Sequence, residues 1–279
     1  MALTKTGTFG ELLRQWRTAR RMSQLELGME AGVSARHISF IETGRAQPSR
    51  EMVIILANVL DIPLRERNLL LHTAGYAPFY RETSLDDPQM AQVRLALELI
   101  LEQQEPFGAI VFDRRWDIVM VNAAYVRFTS LLFGASKITA TPLTVIAPPR
   151  PNLLHLLFDP ARWRMFITNW DVVARSLIPR IHREVALGSD SSMRELLDKI
   201  LAYSGVPKRW STPDFELPQD VIIPIEVRFG EQTLRLFSTI TTLGSPHDIT
   251  LQELRIESFH PADQASADFA RSIAAQIKQ

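Results

Sequence analysis

The six histidines, at positions 37, 72, 155, 182, 247 and 260, fall at none of the spacings that gather metal ligands. The chain has no cysteine, which removes thiolate catalysis, disulfides and sulfur-ligated metal centres. It also has no Gly-Xaa-Ser-Xaa-Gly elbow, no phosphate-binding loop and no dinucleotide fingerprint. The carboxylate pair Asp113 and Asp117 is accounted for by turn chemistry. Neither catalysis nor a required cofactor or metal is expected.

The side chains left with chemistry to do are aromatics interleaved with arginines. Trp163, Phe166, Ile167, Trp170, Val173, Ile178 and Ile181 alternate with Arg162, Arg164, Arg175, Arg180 and Arg183. Most of these residues read as core and solvated face. Helices laid over a small sheet also enclose apolar cavities with an Arg or His at the mouth, a site suited to an acyl chain or a flat aromatic carboxylate. The residues expected to line such a pocket are Phe112, Trp116, Val121, Tyr125, Phe128, Phe166 and Trp170. Arg175, His182 or Arg183 would orient an acidic head group, while apolar burial supplies most of the affinity, at about 25 cal/mol per Å². The expected ligand is apolar with one acidic end, such as a fatty acid. The alternative is a domain that only pairs subunits or docks another protein.

Charge is unevenly placed. The formal net charge is zero, yet residues 1–50 hold eight Lys/Arg against four Asp/Glu, which leaves 23 basic and 27 acidic groups for the rest. A compact positive end on a neutral chain suits phosphate contact.

Several elements must position these residues. Phe9, Leu12, Leu13 and Trp16 fall at helical spacing. Ser23 caps a short helix from Gln24 to Ala31 that stops at Gly32, and Ser34 caps the next, through Arg36, Ile38 and Ile41, which ends at Gly44. Two more helices follow Pro48-Ser49 and Pro63, the last closed by Gly75. A helix after Asp86-Asp87-Pro88 carries Met90, Val93, Leu97, Ile100 and Leu101 and ends at Pro106. Phe107 to Phe112 and Trp116 to Val121 read as strands, and Asn122 caps a helix from Ala123 to Phe133. Helices fill about 152 to 203. Val221 to Phe229, Thr233 to Leu243 and Ile249 to Phe259 read as three further strands joined by turns.

The segment Ser23-Gln24-Leu25-Glu26-Leu27-Gly28-Met29-Glu30-Ala31-Gly32-Val33-Ser34, followed by Ile38-Ser39-Phe40-Ile41-Glu42-Thr43-Gly44, resembles the phage-repressor (XRE/Cro-like) helix-turn-helix family. In such a pair the second helix lies in the major groove with its first residues toward base edges. By that resemblance Ala35, Arg36 and Phe40 face bases, with Arg36 able to pair bidentately with guanine. Gln24, Ser34, Ser39 and Arg45 sit where the family contacts phosphate, and His37 lies between phosphate contact and plain surface. Gly28 replaces the family's usual alanine at the helix contact.

Further along, Trp116-Asp117-Ile118-Val119-Met120-Val121-Asn122-Ala123, Asn152-Leu153-Leu154 to Phe158-Asp159-Pro160, and Asn169-Trp170 resemble the C-terminal ligand-binding domain of MmyB-like regulators, which looks like a PAS fold. The resulting expectation is an α + (α+β) chain: a five-helix repressor-type bundle, then a PAS-like antiparallel sheet covered by helices. Its divisions fall at 1–78 for the DNA-binding domain, 79–105 for a connecting segment with a linker helix, 106–263 for the ligand or dimerisation domain, and 264–279 for a C-terminal helix. The expected partners are a double-stranded DNA operator, a small molecule and a second copy of the chain. No apolar run approaches the ~18 residues of a membrane span, and residues 1–20 lack a signal-like core, so a cytoplasmic protein is expected.

Overall fold

Hydroxyl side chains set the helix starts in the first sixty residues of the computed structural model, which describes residues 7–134, 143–188, 191–212, 222–244 and 246–276. Helix α1 (Phe9–Ala19) begins at Thr8 and α2 (Gln24–Ala31) at Ser23, each closed by a reciprocal capping box with Glu11 and Glu26 respectively. Helices α3 (Ala35–Glu42) and α4 (Arg50–Val59) start at Ser34 and Ser49, whose oxygens accept the backbone N–H groups of His37 and Met52. α5 (Leu64–Thr73) follows Pro63. Leu13, Leu27, Ile38, Ile41, Leu56 and Leu60 form their shared core. These are the five helices expected.

The chain divides into two compact units. The first takes residues up to Thr83 together with two short later segments, 187–191 and 245–252; the second takes the remainder.

In the second unit, a 3-10 turn at Pro88–Met90 leads into α6 (Ala91–Gln103), which buries Leu97 and Leu101. Next come β1 (Ala109–Phe112), β2 (Ile118–Asn122) and α7 (Ala123–Leu132). Asn122 caps α7 as expected, and it does more. Its carbonyl oxygen accepts the N–H groups of Tyr125 and Ala109, and its amide donates to the carbonyls of Leu101 and Phe107, so a fully buried carboxamide is satisfied on both ends. After β3 (Leu143–Val145) follow α8 (Leu153–Phe158), α9 (Trp170–Leu187) and α10 (Ser191–Leu201). The chain ends with β4 (Ile225–Phe229), β5 (Gln232–Thr241), α11 (Ile249–Glu253), β6 (Arg255–Pro261) and α12 (Gln264–Gln276).

All strand pairings are antiparallel, in the order β3-β2-β1-β6-β5-β4, so the α+β layer read from the sequence is present with six strands where five were expected. The strand expected to begin at Ile249 starts later. The Asp248 carboxylate accepts the N–H of Thr250 and opens the helical turn α11 instead, leaving Arg255 to begin β6. Within the first unit the same carboxylate receives the Thr83 hydroxyl at 2.6 Å. Of the strand expected from Val221, residues from Ile225 pair, and Val221 lies outside the described residues. No helix among the described residues is long and apolar enough to cross a membrane.

Candidate functional site

Two constellations carry chemistry, one in each unit. In the first, α3 is held from behind by a buried ion pair. Arg17 of α1 donates to Glu42 at the end of α3 through Nε and Nη2, at 2.6 and 3.0 Å, and the Gln24 amide of α2 donates to the same carboxylate at 2.8 Å. Burial pushes the Glu42 carboxyl up, but the hydrogen bonds from Arg17 and Gln24 outweigh it and hold the group below the usual carboxylate range. Three helices thus converge on one side chain that is 2% exposed. The close approach of α2 to the turn before α3 leaves no room at Gly28: a Cβ there would lie 2.7 Å from the Val33 carbonyl oxygen. Even the family's alanine would force the turn to shift.

The opposite side of α3 is open. Ala35 and Arg36 occupy its first turn, after the Ser34 cap. Arg36 is exposed, His37 and Ser39 are half-buried, and Arg45 is exposed just beyond the helix. Phe40 is not an isolated apolar contact. The Arg36 guanidinium lies 5.1 Å and that of Arg45 6.0 Å from the centre of its ring, so one aromatic ring orders two cations. Gln24 differs from the other residues of this set in that its amide already serves Glu42. An ordered guanidinium in the first turn of a helix is equipped to meet base edges and phosphate oxygens.

The second constellation is a cavity of about 470 Å³ within the α+β unit. Strand register explains its floor. Val227 faces Leu234, Ile225 faces Leu236, Ser238 faces Phe259 and Ile240 faces Glu257, so alternate residues of β4, β5 and β6 point to one side, and all of them line the cavity. The walls come from helices. α9 contributes Val173, Ser176, Leu177, Arg180 and Arg183, a single stripe at helical spacing, and α12 contributes Phe269, Ala270 and Ile273.

Of the residues expected at a pocket, Trp116, Tyr125, Phe128 and Arg183 line this one. The other six lie elsewhere. Phe112 is fully buried and stacked on Trp116 at 5.1 Å, and Val121 is core opposite Ile110. Phe166 meets Phe133 edge-on, while Trp170 packs against Phe158 and Trp210 and donates its indole N–H to the Leu157 carbonyl. His182 is 7% exposed and donates from Nε2 to the Trp210 carbonyl at 2.8 Å. Arg175 is exposed. The reason is angular: at about 100° per residue, positions 175 and 182 project from the side of α9 away from the stripe that begins at Val173.

Sequence reasoning passed over Arg180, Ser238 and Glu257. Arg180 lies over the Trp116 ring at 4.8 Å and pairs with Glu184, which also accepts the Trp116 indole N–H and pairs with Arg255. Glu257 is 9% exposed on the cavity floor; burial pushes its carboxyl up, against the opposing influence of the neighbouring Ser238 hydroxyl and the charge of Arg180. The available signal was Ser238 interrupting the run Leu234, Leu236, Ile240 on alternate positions of one strand.

A compact helical unit that presents an arginine on a capped second helix, carried on one chain with an α+β unit that encloses an apolar cavity, defines a helix-turn-helix regulator with a ligand-binding domain. Residues 13–67 match the helix-turn-helix family, and residues 93–272 match the family described as MmyB-like transcription regulator ligand binding domain. The chain belongs to this MmyB-like family of transcription regulators. It is also 32% identical over 136 residues to a protein of Methanoculleus marisnigri described as an HTH-type transcriptional regulatory protein; the match takes in 47% of this chain and 44% of that relative, less than half of the relative's length.

Proposed function

We propose that the protein binds a two-fold operator as a homodimer, and that an apolar ligand with one acidic end, such as a fatty acid, alters its affinity for that DNA. The observation that carries the reading is the cavity: about 470 Å³, floored by alternate apolar residues of three strands, with Arg183 exposed on its wall. That volume falls in the range of small-molecule sites. Apolar burial supplies the affinity and Arg183 orients the head group. Arg36 reads bases from α3, with half-sites about one helical turn apart, ~10 bp. Leu95 and Leu99, one turn apart on α6 and 48% and 50% exposed, favour pairing with a second copy. Regulation requires the ligand to bind the DNA-competent and incompetent arrangements unequally, since equal affinity shifts nothing.

The test is to titrate saturated fatty acids of increasing length against the full chain while following thermal unfolding and the anisotropy of labelled operator DNA. Both signals should change with chain length. If length has no effect on either signal while a polar metabolite moves both, the apolar-pocket reading fails; if a fatty acid binds and DNA affinity stays constant, the regulatory half fails.

A further inference from the structure

Most polar groups around the cavity are already occupied. Arg127 pairs with Glu105, Arg180 with Glu184, the Ser176 hydroxyl donates to the Val173 carbonyl, and the Ser266 oxygen accepts the Arg235 N–H. Glu257 is different. It sits on the floor among Ile110, Ile240 and Phe259, with Ser238 lining the cavity beside it, while Tyr125, whose hydroxyl has no partner among the described residues, lines the same space. A carboxyl group buried among apolar side chains on a cavity floor is costly, and a single neighbouring serine hydroxyl leaves most of its hydrogen-bonding capacity unused.

We propose that Glu257, with Ser238 beside it, is a hydrogen-bonding station for a hydroxyl carried on the apolar body of the ligand, so that the cavity selects hydroxylated acyl chains over plain ones. The inference rests on the acyl-pocket reading above and adds a second recognition point to it. An un-ionised carboxyl both donates and accepts, and burial favours that form here. An alcohol does both as well, and can therefore satisfy Glu257 where a run of methylenes cannot. A carboxylate head group has no reason to settle at this point, because a second acid stands there. An amine would meet the positive charge of Arg183 on the same cavity wall. The acidic end thus belongs with Arg183 and the hydroxyl with Glu257.

Trp116 and Trp163 line the cavity, so the intrinsic tryptophan fluorescence of the full-length protein can follow titration with matched probes: a saturated fatty acid and its counterparts hydroxylated near the carboxyl, at mid-chain and at the methyl end. At least one hydroxylated isomer should bind about five- to tenfold more tightly than the plain chain, the ordinary worth of one neutral hydrogen bond. Glu257→Gln, which still donates and accepts, should keep most of that preference. Glu257→Leu should reduce it to less than about twofold, and if that variant does not fold, Ser238→Ala should show a partial loss, about threefold. Equal binding of the plain chain and every isomer, or a preference that survives in Glu257→Leu or is untouched in Ser238→Ala, overturns the proposal while the pocket reading stands. Absence of binding by all acyl probes overturns both.

Discussion

The surface of α3 and the cavity of the α+β unit are built on opposite plans. Every residue of the first that faces outward lies between Ser34 and Arg45, within twelve consecutive positions, and the distant residues Arg17 and Gln24 act only on its buried side through Glu42. The cavity takes Trp116, Arg180, Ser238, Glu257 and Phe269 from three strands' neighbourhood and two helices spread over more than half the chain. A local site needs its helix to be held at the right angle. A dispersed site needs the whole sheet in register, because a slip of one residue turns each floor side chain to the other face.

The two plans also treat a buried glutamate differently. Glu42 is ionised and shared between two donors, whereas Glu257 stands in an apolar floor with its carboxyl driven up. Removing the first should have the larger effect. Glu42→Ala leaves the Arg17 guanidinium, itself 12% exposed on its side chain, without its partner, and should cost about 3 kcal/mol of stability in the helical unit. Denaturant unfolding of the variant measures it, with operator binding lost in parallel; a change under about 1 kcal/mol would show that α3 does not depend on the pair.

On the outward side, Arg36→Ala should weaken operator binding by roughly 1–3 kcal/mol and relax specificity at one base pair per half-site. Equal loss on all sequences would instead assign Arg36 to phosphate. Phe40→Ala, which removes the ring that Arg36 and Arg45 lie over, should produce the same pattern at about 0.5–1 kcal/mol. Competition anisotropy against single-base operator variants separates these outcomes.

The smallest effects are in pH, and they should have opposite signs. Glu42 has a depressed folded pKa, so its contribution to stability is present above the ordinary glutamate value of 4.5 and is lost as pH falls through the folded value. Glu257 has a raised folded pKa, so its contribution is complete below 4.5 and declines as pH rises toward and through the folded value. Each carboxyl can add at most about 1.4 kcal/mol per pH unit to the slope. Glu257→Gln should therefore flatten the decline in stability above pH 4.5 and leave the profile below it alone; a slope unchanged by that substitution would mean that folding does not raise the Glu257 pKa.

The same contrast governs what could be read in advance. Capping serines, left-handed glycines and helical spacing are local, and the five helices, the caps at Ser23 and Ser34, and the Asn122 cap of α7 were all legible, because the atoms that make each feature lie within four residues of one another. The α+β layer was legible too, from strand-length apolar runs and turn residues. The extra strand Leu143–Val145 is three residues long and carries too little pattern to stand out. Aromatic content pointed to a pocket but not to its walls. Phe112 and Trp170 have the composition of lining residues and became packing, while His182 and Arg175 fell on the wrong side of α9.

By itself, then, the order of residues determined the helices of the first unit and where they start, the run of strands and helices of the second apart from β3 and α11, and which helix presents Arg36. Tertiary structure alone decided that Glu42 joins three helices, that α12 closes onto the sheet, and that Ser238 and Glu257 meet on one floor. The reason is range. Capping and periodicity act over one or two turns of chain, whereas strand register and the burial of a charge depend on residues tens to hundreds of positions apart, whose proximity no short stretch of sequence records.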